Sequence, residues 1–244
     1  MSRAFVAGAT GYTGREVVRA LVARGIEAVA HVRPQSRDLA AIVGQFASEG
    51  ALVDETPWEE ESFRTTLLVH RPDAVFALLG TTRARAAAAR RAGAPRESYD
   101  SVDYELTAML LRASVACASR PRFVYLSALG AGRPSSNAYL SARYKAESDV
   151  RVSGLAYVIA RPSFITGSDR AEARPMERVA DAVLGVAGRV GAAAARDKYA
   201  SMTAGELSRA LVALAFDEST PSLVVEAAEL RARAALPGQK AAPA

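Results

Sequence analysis

Three glycines, Gly8, Gly11 and Gly14, follow the first apolar run at intervals of three and constrain this chain more than any other feature. Residues 3–9 read as a strand. Residues 15–24 place Val17, Val18, Leu21 and Val22 on one helical face, and Gly25 follows as a stop. A strand that turns through glycines into a helix has a physical signature. The first glycine permits the tight turn, the middle one lets backbone approach a ligand, and the last lets the helix pack close to the strand. The helix start then offers free N–H groups and the positive end of its dipole, a seat for an anion. The spacing is G-x-x-G-x-x-G rather than the commoner G-x-G-x-x-G, but the physics is shared, and it points to the pyrophosphate of a dinucleotide. Thr10, Tyr12 and Thr13 complete the loop as binding candidates.

The remainder of the chain repeats the strand-then-helix alternation. Further strands are expected at residues 27–32, 51–54, 73–79, 122–127, 155–160 and 223–225. Helices are expected at 38–48, 58–70, 97–119, 136–152, 176–190 and 204–216. Such alternation predicts an α/β fold, a Rossmann-type doubly wound parallel sheet with helices on both faces. We read residues 1–236 as a single domain with small lid elements within 164–236, and 237–244 as a disordered tail. Ligands of such sheets sit at the carboxyl ends of the strands, beside the switch in strand order.

Composition narrows the function classes. Half of the 244 residues are hydrophobic and mean hydropathy is +0.05, which suits a globular chain with a large core. No run of eighteen apolar residues suggests a membrane span, and the start of the chain lacks a signal-peptide pattern. Cytoplasmic location is the default expectation, and the single cysteine, Cys117, reads as a buried small hydrophobe. No metal is expected. A net charge of +5 invites a nucleic-acid reading, but 28 of the 31 basic residues are arginines scattered along the chain. Only the arginines of residues 83–91 cluster, and nucleic acid ranks last among the partners considered.

The end of the second expected strand bears on cofactor choice. An acidic residue there accepts from the ribose 2′-OH of NAD. Here the chain reads His31-Val32-Arg33-Pro34, and a guanidinium can fork onto a 2′-phosphate. NADP(H) is therefore expected, with NAD(H) second, and Arg33 as the main contact. His31 and Trp58 read as structural.

After the fifth strand come Ser127, then Tyr139 twelve residues on, Arg143 four further, Lys145 and Glu147. With Leu79-Gly80-Thr81-Thr82-Arg83, Val102-Asp103 and Arg161-Pro162-Ser163, these stretches resemble the atypical short-chain dehydrogenase/reductase superfamily. They are most similar to its NmrA-like group and Tat-interacting oxidoreductase branch, over roughly residues 3 to 168. The resemblance implies that Ser127 holds a substrate carbonyl and that Tyr139 is the general acid in reduction. It also implies a cation one helical turn after the tyrosine, where the family has lysine. In this chain that position is Arg143, and Lys145, about 120° around the helix, fits only if the helix starts late or bulges. Gly80, Thr81 and Thr82 resemble the backbone that passes the cofactor, and Pro162 and Ser163 the segment beside the nicotinamide amide. Asp54 resembles the acidic contact to adenine, with a plain helix cap as the alternative.

Two functions follow as expectations. One is hydride transfer between NADP(H) and a small carbonyl or activated double bond. The other is a non-catalytic NADP(H)-binding redox sensor or regulatory protein. A small-molecule substrate, a homodimer and a regulatory protein partner are all compatible with the pattern.

Overall fold

β1 (Arg3–Ala7) lies at the middle of the molecule because both its faces are apolar: Ala4 and Val6 point to one side of the sheet, Phe5 and Ala7 to the other, and all four are fully buried. The structure, a computed structural model, describes residues 1–81, 97–166 and 200–235. In chain order β1 is followed by α1 (Tyr12–Ala23), β2 (Glu27–His31), α2 (Leu39–Ser48), β3 (Leu52–Asp54), α3 (Glu60–His70) and β4 (Ala74–Ala77). A π-helical stretch (Tyr99–Glu105) runs into α4 (Leu106–Ala116). Then come β5 (Arg122–Leu126), α5 (Ala138–Val152), β6 (Tyr157–Arg161), β7 (Ile165–Thr166), β8 (Met202–Thr203), α6 (Ala204–Ala215), β9 (Leu223–Glu226) and α7 (Ala227–Ala235).

Seven strands form one parallel sheet in the order β3-β2-β1-β4-β5-β6-β9. The chain winds outward from β1 to β3, then returns to the other side of β1 with β4. The two windings part between β1 and β4, so their carboxyl ends leave a crevice there. The short pair β7–β8 stands apart from this sheet.

The two faces carry separate cores. On one, Val6, Ala30, Phe76, Val124 and Val158 pack against Val17, Leu21, Leu207 and Leu211 of α1 and α6. On the other, Phe5, Val75, Phe123 and Ile159 pack against Phe63 and Leu67 of α3, Leu110 of α4 and Val150 of α5. Each large side chain so buried contributes roughly 1.5–3 kcal/mol.

The expected fold class holds, with local corrections. The helix expected at 97–119 is two pieces. Its first part widens to π geometry, capped by reciprocal contacts of Ser98 and Ser101, and this carries Asp103 into the interior at 0% exposure. β4 stops at Ala77 although the apolar run continues: Leu78 N still donates to Ala7 O at 3.0 Å, while Leu78 and Leu79 line the crevice. α2 starts at Leu39 rather than at residue 38, because Asp38 sits in the left-handed region at φ 58°. β7, β8 and α7 have no counterpart among the expected elements. The stretch 83–95, the helix expected at 176–190, the lid over 167–199 and the tail lie outside the described residues.

Candidate dinucleotide and catalytic site

The glycine loop is built by close approach. Gly8 adopts φ +85°, and a Cβ on it would lie 2.6 Å from the Leu78 carbonyl oxygen of the neighbouring strand exit. A Cβ on Gly14 would lie 2.1 Å from the Gly8 carbonyl oxygen. The loop closes with Gly11 N donating to Gly8 O at 3.0 Å. α1 begins at Tyr12 with no side-chain cap and no acidic residue in its first turn. Its first turn therefore brings no capping side chain or carboxylate of its own to offset the positive end of the helix dipole. Thr13 is buried, while Thr10 is half-buried and lines the crevice. The Tyr12 hydroxyl donates to the Thr166 carbonyl at 3.0 Å, tying the loop to β7.

Gly8, Thr10, Gly11, Arg33, Trp58 and Gly80 are among the residues that line the crevice. His31 also lines it, yet its ring is 2% exposed and its Nε2 donates to the Thr56 carbonyl at 2.7 Å. Burial pushes the His31 imidazole below its ordinary pKa, partly offset by that hydrogen bond and by Asp54. Trp58 is half-buried, stacked on Phe63 at 4.5 Å and edge-on to His31 at 5.1 Å. It packs at a helix start as expected, and it also forms crevice wall.

Asp54 turns away from the role the resemblance implies. One carboxylate oxygen accepts from Thr56 N at 3.1 Å, and the other lies 3.3 Å from His70 Nε2 and 3.5 Å from Thr66 Oγ1. Despite the opposing effect of burial, these contacts hold its pKa below the ordinary carboxylate value. It anchors the turn into α3 and is not among the crevice-lining residues.

Arg33 does stand in the crevice, with its side chain 45% exposed. Its Nη1 lies 3.4 Å from Glu97 Oε1, and Glu97 Oε2 accepts from Thr81 Oγ1 at 2.9 Å. Thr81 N donates to Asp103 Oδ2 at 2.9 Å, and Gly80 lies so close to Arg143 that a Cβ there would be 2.8 Å from Arg143 Nη2. Thr82 lies outside the described residues.

The second half of the site is on β5 and α5. Asn137 caps α5 by accepting from Tyr139 N at 3.0 Å and Leu140 N at 3.2 Å. The helix thus starts at Ala138, neither late nor bulged, and the offset of four puts Arg143 beneath Tyr139. The Arg143 Cζ lies 5.3 Å from the Tyr139 ring centroid and 5.6 Å from that of Tyr125. Lys145 points to solvent and pairs with Asp100 at 2.8 Å, so it does not take the family lysine's place.

Arg143 is buried, and its terminal nitrogens are engaged by the protein: Nη2 with Asp103 Oδ1 at 2.6 Å and the Leu79 carbonyl at 2.9 Å, Nη1 with the Leu126 carbonyl at 2.5 Å and the Tyr125 hydroxyl at 3.4 Å. Among the described residues its buried Nε has no partner. Burial opposes its charge, yet Tyr125, Tyr139 and Asp103 together raise its pKa above the ordinary value. Burial also pushes the Tyr125 hydroxyl up to about 12, against the pull of Arg143. The terminal nitrogens of Arg143 are thus held by protein groups.

Ser127 is 4% exposed and its hydroxyl donates to Glu147 Oε1 at 2.6 Å. Glu147, fully buried, also accepts from Arg161 Nε at 2.9 Å and Nη2 at 2.5 Å, and from Arg151 Nη2 at 3.0 Å. Pro162 O accepts from Leu129 N at 3.2 Å, and the Ser163 hydroxyl donates to the Ala200 carbonyl at 2.5 Å. Sequence reasoning missed Glu97, Asp103 and Glu147 as members of the site. Glu147 had a readable signal, since it lies four residues after Arg143 on the same helical face.

A family model described as NAD(P)H-binding matches residues 8–214. The chain belongs to this NAD(P)H-binding family. It is 30% identical over 195 residues to "Protein fmp52, mitochondrial" of Aspergillus fumigatus, covering 78% of this chain and 77% of that protein. Among solved structures it resembles the UDP-Glc/GlcNAc 4-epimerase of Campylobacter jejuni, with a TM-score of 0.64, 14% identity, and coverage of 92% and 77% of the two chains. It also resembles the UDP-glucose 4-epimerase of Brucella ovis in complex with NAD, with a TM-score of 0.62, 18% identity, and coverage of 92% and 77%. The Rossmann-type fold and the NAD(P)H-binding family are consistent with the resemblance to atypical short-chain dehydrogenase/reductase proteins. The cytoplasmic expectation is corrected, because it rested only on missing signals and the curated fungal relatives are named mitochondrial.

Proposed function

We propose that this chain is an NADP(H)-dependent oxidoreductase that acts on a small carbonyl or an activated double bond, with Tyr139 as its acid/base. The observation that supports this most is Tyr139 lying over the guanidinium of Arg143, which is itself bonded to the Leu79–Gly80 wall of the cofactor crevice. The loop glycines, the open end of α1 and Arg33 fit a dinucleotide bearing a 2′-phosphate. When bound, NADPH would supply the hydride.

The chain's own residues do the rest. The Tyr139 hydroxyl gives its proton to the oxygen that becomes an alkoxide, and the buried Arg143 charge stabilises the phenolate left behind. Ser127 donates to Glu147 and so presents lone pairs outward. It would hold a hydroxyl-bearing form of the substrate directly, and would reach a carbonyl only by rotating off Glu147. Tyr139→Phe should lower turnover by about 10²–10⁴-fold and leave the NADPH dissociation constant within about twofold. Unchanged turnover would remove Tyr139 from the role.

A second reading is a non-catalytic NADP(H)-binding sensor or regulatory protein, acting with a protein partner. The observation favouring it is that the terminal nitrogens of Arg143 and the Ser127 proton already have internal partners. Steady turnover on any carbonyl in a substrate panel, abolished by Tyr139→Phe, would exclude it.

A further inference from the structure

We propose that Glu97 is a cofactor-discriminating residue that sets how strongly the crevice prefers a 2′-phosphate over a 2′-hydroxyl; this rests on the dinucleotide reading above. Among the described residues lining the crevice, Arg33 is the one arginine or lysine and Glu97 the one carboxylate. They face each other at 3.4 Å, so Arg33 already has an internal anion. Glu97 is fixed from its other oxygen by the Thr81 hydroxyl at 2.9 Å, and Thr81 is held in turn through its N–H by the buried Asp103. The carboxylate therefore has a defined position beside the 2′ contact rather than a free swing into solvent.

The consequences for the two ligands are opposite. A 2′-phosphate must draw Arg33 away from Glu97 and then sit near a like charge. The Arg33 side chain is nearly half exposed, so the pair is weak enough for a dianion to displace. A 2′-hydroxyl needs no such exchange: it can donate to Glu97 in the way that an acidic residue at the end of β2 would allow. The chain thus has the acceptor that sequence reading sought near His31–Arg33, delivered instead from the segment that enters the π-helical stretch. Glu97 tempers the NADP(H) preference that Arg33 confers, and the crevice is suited to both cofactors.

The test is fluorescence titration of the full chain with NADPH and NADH for wild type, Glu97→Gln, Arg33→Ala and Thr81→Val. Glu97→Gln keeps an acceptor for Thr81 and removes the charge. It should tighten NADPH binding on the order of tenfold and leave NADH equal or weaker. Thr81→Val, which frees Glu97, should move the NADPH-to-NADH ratio by a smaller factor than Glu97→Gln does. Arg33→Ala should weaken NADPH and shrink the effect of Glu97→Gln in the double variant to what the direct repulsion of a 2′-phosphate by Glu97 leaves. If wild type binds both nucleotides and Glu97→Gln leaves their affinity ratio within twofold, the proposal is overturned while the dinucleotide reading stands. If wild type binds neither nucleotide, both fall. Circular dichroism of each variant separates lost binding from lost folding.

Discussion

The two halves of the site treat their polar groups in opposite ways. At the β1–α1 turn no side chain caps the helix, no acidic residue lies in its first turn, and Arg33 has, among the described residues, one weak, half-exposed partner. At β5–α5 Asn137 caps the helix, Ser127 is bonded to Glu147, and Arg143 is bonded to two carbonyls, a phenol and a carboxylate. The first half is built to receive an anion and stays electrostatically open until one arrives. The second is a closed network whose members orient one another, so that its geometry is set before any ligand enters.

If that contrast is right, the closed half should be the more fragile. Asp103→Ala leaves the Arg143 charge buried without its carboxylate and should cost about 3–5 kcal/mol, measured by urea unfolding. The double variant Asp103→Leu with Arg143→Met should recover most of that loss, because no buried charge remains. A single variant as stable as wild type would mean that Arg143 finds water or another anion, and the network would not be closed.

The stability of the open half depends on shape. Gly14→Ala places a methyl against the Gly8 carbonyl oxygen and should cost about 3 kcal/mol, with nucleotide binding lost alongside. A smaller effect belongs to α6, which has what α1 lacks: Thr203 and Glu206 cap it reciprocally. Thr203→Ala should cost about 1 kcal/mol and leave nucleotide affinity unchanged.

The smallest effect at neutral pH comes from His31, which burial keeps neutral. The unfolded chain takes up its proton near pH 6.5, whereas the folded chain does so only at lower pH. The stability at stake is fully present above about pH 6.5 and falls as pH drops through it. The melting temperature should therefore decline on the acid side, and His31→Asn should flatten that decline. A decline of equal slope in the variant would assign it to other groups.

Much of this molecule was legible without coordinates. The glycine spacing, the alternation of period-two and period-3.6 apolar runs, and the offset from Tyr139 to Arg143 are local patterns. Strand order around β1, the switch crevice and the position of Tyr139 above Arg143 agree with them. The π-helical widening before α4 was not legible. A helical pattern looks the same whether or not one turn is wider. The same holds for Asp54, whose carboxylate is taken up by Thr56, Thr66 and His70 rather than facing the crevice.

By itself the sequence determined where the backbone must turn and which faces must be apolar, since φ preference and side-chain period act between near neighbours. Only the tertiary structure decided which polar groups stay open and which are closed off. Arg143 is paired with a carboxylate 40 residues earlier in the chain, and Arg33 with one 64 residues later. A buried charge takes the counter-charge that folding brings within reach, and that choice is made in space rather than along the chain.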